Sequence, residues 1–463
     1  MQSNPIFSRR SFLAHGAAVI SAASTIPFFL DHSGRILAAE FAANPQGVGR
    51  PDKVLVIVQL AGGNDGLNTV VPIGNDDYHR ARPRLGIGKD KVLKLNDDFG
   101  VHPGATGFKK LYDAGLLAIC QCVGYPNHNR SHFRSTDIWS SAEPEKTSHS
   151  GWLGRYFDSC RSGEDPGAKN GAKPQAAKPA DPAAAIALTN SPPIALEGEK
   201  FIPITFKNPA SLTYQEGQKN AKIKSAFEKL NDGEMTELGM DDDEHKMARV
   251  PKIPYGTAGS LNLPKDETDM FVQRSALNAR VYAEQIKSSV ARVSNKAAYP
   301  ANPLAADLKL VAQMITAGLP TRVYYVTLGG FDTHSNQVQR HEKLMVTLSS
   351  ALSAFTDDLK ALGQLDRTTV MTFSEFGRRV AENGSQGTDH GEAAPLFVIG
   401  SSIKPGFHGP SPDLRREKLS RGDVAFQLDF RRIYATMLRD WLKADDVKVL
   451  GRKFETLGLF KNV

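Results

Sequence analysis

The residues that could do chemistry stand where apolar runs end. VLVIVQL (54–60) gives way to Gly62-Gly63-Asn64-Asp65-Gly66, and VYYVTL (323–328) to Gly329-Gly330-Phe331-Asp332-Thr333-His334. TTVMTF (368–373) is followed by Ser374-Glu375, while the apolar run 116–123 leads to Asn129-Arg130-Ser131-His132. Asp389 and His390 lie in a loop ahead of a short apolar stretch, 395–400. Hydrophobic strand, glycine break, then polar side chains is how open α/β sheets build sites. Each motif also has an ordinary explanation. Asp332 can cap a helix with His334 a plain loop residue, and Asp65 suits an Asn-Asp-Gly turn. Ser131 is either a nucleophile, favoured by helix amides that steady an anion or alkoxide, or a simple N-cap.

Convergence separates the two explanations. In a parallel sheet the carboxyl ends of the strands share one edge, so Asp65, Ser131, Asp332 with His334, and Glu375 can meet, joined by Asp389 and His390. Carboxylates with two histidines make a mixed oxygen and nitrogen donor set suited to a divalent cation. Four carboxylates crowded together without a cation would be costly.

The elements that must position these groups follow the same alternation. Helical patterns are expected at 108–114, 133–142, 304–318, 338–362 and 424–442, and strands at 54–60, 116–123, 322–328, 367–373 and 395–400. This implies an α/β fold, a mostly parallel sheet with helices on both faces. Residues 163–185, rich in Ala, Lys, Pro and Gly, read as a flexible loop. Residues 195–300 read as a mainly helical insertion, charged over 219–249 and amphipathic over 269–293. Cys120, Cys122 and Cys160 make no disulfide framework; strand alternation puts the first two on one face as buried thiols, with one bond to Cys160 left open.

At 463 residues, with 23% charged and 40% hydrophobic residues, the chain is long enough for one large α/β domain with insertions, or for two domains. Its net charge of +7 is scattered, so no nucleic-acid surface is expected, while a small anionic substrate is compatible. Ser8-Arg9-Arg10-Ser11-Phe12-Leu13 precedes a small and apolar stretch, 17–30. That resembles a twin-arginine signal peptide with its spacer over 1–43, recognised by the twin-arginine export machinery, which carries folded proteins. The 17–30 stretch is too short and too broken by polar residues to span a bilayer, and no later one qualifies. The expected location is therefore periplasmic or exported.

The export signal, GGNDGLNT, NRSHF, GGFDTH, TFSEFGRR and TDHGEAAP together resemble the bacterial family catalogued as domain of unknown function 1501, across nearly the whole chain. The resemblance implies the alkaline-phosphatase-like fold of metal-dependent phosphatases, sulfatases, phosphodiesterases and phosphomutases over 44–463. On that pattern Asp65, Asp332, His334, Glu375, Asp389 and His390 would hold a divalent metal ion: zinc, calcium or magnesium. Ser131 would be the nucleophile, with Arg130 or His132 holding the anion. Two departures stand out: Asp332 and His334 are two apart rather than four, with Asn336 in the second position, and Phe376 replaces a ligand histidine. One metal ion is thus easier to build than two. No Cys or Ser starts a C/S-x-P-x-R run, so the modified-cysteine sulfatase route is not expected. Two functions follow: a metal-dependent hydrolase of phosphate or sulfate esters, and a non-catalytic envelope-associated binding or scaffold protein that keeps the fold. Stoichiometric metal and hydrolysis of generic esters would tell them apart.

Overall fold

A computed structural model describes residues 51–160, 182–207 and 286–461. The chain divides into two units, Met1–Pro45 with Pro209–Gln285 and Gln46–Asn208 with Ile286–Val463. All described residues belong to the second. The expected signal segment, most of the 163–185 loop and the greater part of the 195–300 insertion lie outside them.

The second unit is built on one nine-stranded sheet. Its strands are β1 (Val54–Leu60), β2 (Leu117–Gly124), β3 (Ala185–Ala187), β4 (Ile204–Thr205), β5 (Val323–Leu328), β6 (Thr368–Phe373), β7 (Ala394–Ile399), β8 (Gly406–His408) and β9 (Leu428–Asp429). In space the order is β8-β2-β7-β6-β1-β5-β3-β4, with β9 also paired to β2. β1 runs parallel to both β5 and β6, pairing Val58 with Val326 and with Thr372. Only β7 runs against its neighbours β6 and β2. The sheet is therefore mixed and mostly parallel, the expected α/β class. Because β7 is reversed, its amino end lies at the edge where β1, β2, β5 and β6 deliver their carboxyl ends. The 389–390 loop is thereby brought to that edge.

β1 shows why the sheet is central. Leu55 and Ile57 join a cluster with Trp139, Tyr325, Phe373 and Tyr434, while Val54, Val56 and Val58 are equally buried and face the other way. A strand apolar on both faces is stable only with cover on both sides. Helices α1 (His132–Ser141), α2 (Trp152–Cys160), α3 (Pro303–Thr316), α4 (Gln337–Ala361) and α5 (Phe430–Thr436) supply it. On the α5 side the cover is aromatic: Trp139 stacks on Phe430 at 4.4 Å and Trp152 on Tyr434 at 4.1 Å.

Four expectations need correction. Pro182–Ala184 form a 3-10 turn and Ala185 opens β3, where flexible loop is expected, and β4 adds a strand inside the span read as mainly helical. Both strands are two or three residues long, too short for a periodic signal. The segment 424–442 starts as irregular chain, forms β9 at Leu428–Asp429, becomes helical only at Phe430, and closes as a π-helix over Met437–Trp441. Cys122 adopts a left-handed backbone (φ 52°) beside a register shift between β2 and β7. The bulge breaks the alternation, so Cys120 and Cys122 lie in different apolar clusters. All three cysteines are free thiols. Among the described residues no helix is long and apolar enough to cross a membrane.

Candidate metal centre

At the shared edge three histidines surround one carboxylate. Asp332 Oδ1 lies 3.1 Å from His334 Nε2, 3.2 Å from His390 Nε2 and 3.7 Å from His132 Nε2. His334 and His390 bring their Nε2 atoms to 2.9 Å from each other. Each ring is held from behind through Nδ1, and each partner atom can only accept. His132 Nδ1 donates to Glu375 Oε1 (2.9 Å), an oxygen that also accepts from the Gly62 amide (2.8 Å). His390 Nδ1 donates to the Arg130 carbonyl at 2.8 Å. His334 Nδ1 donates to Asp389 Oδ1 at 3.1 Å, and Asn383 Nδ2 donates to the same oxygen.

These contacts place the proton of each neutral ring on Nδ1. Three bare Nε2 lone pairs are left pointing at Asp332 and at one another. Such an arrangement calls for a cation, and rings held this way are the usual support of a metal-binding histidine. The donor atoms of His132, Asp332 and His390 lie within 4.8 Å of one another. A four-coordinate ion with bonds of about 2.0–2.2 Å sets its ligand atoms roughly 3–4 Å apart, so these residues fit one ion. Phe376 lies under the group, its ring 4.9 Å from His132 and 4.5 Å from His390.

Arg378, which the sequence reading passed over, fixes the geometry. Its side chain is fully buried and donates to the carbonyls of Gly63 (2.8 Å), Thr388 (2.8 Å), Phe331 (3.0 Å) and Gly62, and to Asp332 Oδ1 at 2.7 Å. One guanidinium thus ties together the loops after β1 and β5 and the loop before β7. Partial burial pushes the Asp332 pKa up, but the Arg378 hydrogen bond and charge outweigh it and hold it at about 2. Burial lowers the His390 pKa, leaving that ring neutral and available as a donor near neutral pH. The Asn383 hydrogen bond leads the effects that lower Asp389. Gly62 (φ 120°) is obligatory beneath the site, since a Cβ there would stand 2.4 Å from the Asp332 amide nitrogen.

The remaining candidates fall elsewhere. Asp65 is fully buried against Arg82 (2.7 Å) and Gln337, and its other oxygen caps the short helix Gly66–Thr69 through the Asn68 amide. It takes no part in the histidine group. Glu375 and Asp389 stand behind histidines rather than among the inner donors. The Arg130 guanidinium turns to Asp423, and only its carbonyl reaches the group. Ser131 occupies the N-cap position of α1, directly before His132, with an exposed side chain that makes no capping hydrogen bond.

Fold and site together define a mixed α/β protein with a histidine-carboxylate centre at the carboxyl edge of its sheet. The chain belongs to the family described as "Protein of unknown function (DUF1501)", whose model matches residues 52–452. A comparison with curated proteins found no match. Among solved structures the chain is similar to a sulfatase, PsFucS1, from Pseudoalteromonas sp., with 11% identity and a TM-score of 0.32, covering 91% of this chain and 72% of that one. It is also similar to the lipoteichoic acid synthase LtaP from Listeria monocytogenes, with 9% identity, TM-score 0.30 and 81% and 74% covered. A third similar structure is the phosphonate monoester hydrolase SpPMH from Silicibacter pomeroyi, with 12% identity, TM-score 0.26 and 87% and 77% covered.

Proposed function

We propose that the protein is an exported, metal-dependent hydrolase of phosphate or sulfate esters. The observation that carries this reading is the set of three imidazoles locked through Nδ1 with their bare Nε2 atoms gathered at Asp332. His132, Asp332 and His390 would hold the ion, and Glu375 and the Arg130 carbonyl would aim the two rings. A donor set rich in imidazole favours zinc or a similar transition ion over calcium or magnesium, which take oxygen ligands. Once bound, such an ion draws charge from the ester oxygens and lowers the pKa of a nearby hydroxyl.

The chain's own groups do the rest. Ser131, uncapped and exposed, forms a bond from Oγ to phosphorus or sulfur as the bond to the leaving oxygen breaks. His334 is half-exposed with Asp389 behind it, and its Nε2 takes the serine proton and returns it to the leaving oxygen. Water then cleaves the seryl ester and restores Ser131. Arg378 keeps Asp332 ionised and in place throughout. Export rests on the paired Arg9 and Arg10 ahead of the apolar 17–30 stretch.

Two observations favour a second reading, a non-catalytic binding protein. Asp65 is neutralised by Arg82, and Phe376 fills one side of the group with a ring that cannot ligate. Metal content and turnover of aryl phosphate, phosphodiester and sulfate, measured on the protein and on Ser131→Ala and Asp332→Asn, decide between them. The hydrolase reading expects bound metal with turnover lost in both variants. Absence of turnover, with or without bound metal, supports the binding protein, and metal-free protein with turnover unchanged in both variants overturns the site assignment.

A further inference from the structure

Beside the histidine group lies a cluster of arginines that the scheme above does not use. Asp423, fully buried, accepts from Arg130 Nη2 and lies 3.4 Å from Arg379 Nε and 3.5 Å from His128 Nε2. His128 also reaches Glu392 Oε2 at 2.9 Å, and Arg421 Nη2 stands 3.2 Å from His128 Nε2. Arg379 Nη2 donates to the Arg421 carbonyl at 2.8 Å. The carboxylates are at the bottom and the guanidinium groups at the top: the side chains of Arg130 and Arg379 keep 35% and 39% of their surface in water, and Arg421 is exposed.

This cluster is wired to the candidate centre. The Arg130 carbonyl orients His390, and residues 378 and 379 bridge to His390 on one side and to Asp423 on the other. Arg421 holds a left-handed backbone (φ 54°) next to Gly422 (φ 87°), a conformation a non-glycine residue adopts at a cost. His128, Glu392 and Asp423 are spaced closely enough for a cation, but three guanidinium groups already outweigh two carboxylates. A divalent ion would add charge of the same sign; an anion would be welcomed. Guanidinium forks match phosphate, sulfate and carboxylate oxygens and stay charged at every physiological pH.

We infer that Arg130, Arg379 and Arg421 form a second anion site, so that the substrate is an ester carrying a further phosphate, sulfate or carboxylate group beside the bond that is cut. This inference rests on the hydrolase reading for the ester, and on the arginine cluster alone for the second anion.

The test is titration calorimetry of the full metal-loaded protein with an alkane monophosphonate and with alkane diphosphonates of increasing chain length, repeated with sulfonate and carboxylate at the second end. One diphosphonate length should bind about tenfold tighter than the monophosphonate, the gain expected from one or two charge-assisted hydrogen bonds. High salt should shrink that gain, and the double variant Arg379→Gln/Arg421→Gln should abolish it. If that variant does not fold, Arg421→Gln alone, at an exposed side chain, should reduce the gain several-fold. Equal affinity for one and two anions at every length, or a gain kept in the variants, overturns the second site. Binding with the gain but with no ester hydrolysed sinks the hydrolase reading and leaves the anion site standing. Hydrolysis of simple esters with no gain sinks only the anion site.

Discussion

His341 offers a prediction whose size follows from the structure. It lies on α4 with 1% of its surface exposed, its Nε2 3.3 Å from both Asn64 Oδ1 and Thr69 Oγ1, and it pins the loop after β1. Its Nδ1 has no hydrogen-bond partner among the described residues. A second ring proton would therefore be buried unpaired. Burial, against the attraction of Asp65 and with the repulsion of His102 and Arg82, drives the pKa from 6.5 down to about 3. The folded protein keeps His341 neutral where the unfolded chain protonates it. The stability this represents is fully present above pH 6.5 and is lost as pH falls from 6.5 towards 3. At roughly 1.4 kcal/mol per pH unit, lowering the pH to about 5 costs about 2 kcal/mol. Urea unfolding at about pH 7.5 and about pH 5, on the protein and on His341→Gln, isolates this contribution because carboxylate effects are common to both. The protein should lose about 2 kcal/mol more than the variant. Equal losses would refute a neutral buried His341.

Two other perturbations follow. Arg378→Met leaves the carbonyls of Gly62, Gly63, Phe331 and Thr388 without their buried donor and should cost about 3–5 kcal/mol, read as a lower urea midpoint; a midpoint unchanged would show that the clamp is dispensable. Glu375→Gln keeps the shape of the side chain but weakens the grip on His132 Nδ1. Metal affinity measured by chelator competition should fall about 10–100-fold, and an unchanged affinity would remove Glu375 from the support of the site.

Much of this was legible in the sequence because the strands that carry the site are long and β-branched. VLVIVQL, VYYVTL and TTVMTF each end where a strand ends in the structure, so Asp332, His334 and Glu375 reach the common edge as the pattern implied. Asp65 shows the limit. Its position at a strand end was legible, but its partner was not, because Arg82 is 17 residues away in a segment with no periodic signal. Arg378 was equally hidden: one of two adjacent arginines, it reads as surface charge until three loops fold around it. The antiparallel β7 also left no mark, since a run such as APLFVI carries no direction. The division of labour among the polar groups, with histidines facing inward and Glu375 and Asp389 behind them, depends on side-chain direction, which spacing alone does not supply.

In the proposed centre His132, Asp332 and His390 hold one ion through two imidazoles and a carboxylate. X-ray absorption at the metal edge of the loaded protein tests it most directly. Imidazole scattering from two or more rings is expected, with nitrogen and oxygen ligands at about 2.0–2.2 Å, and one ring fewer in His390→Ala. A shell of oxygen alone, or a spectrum unchanged in that variant, would contradict it.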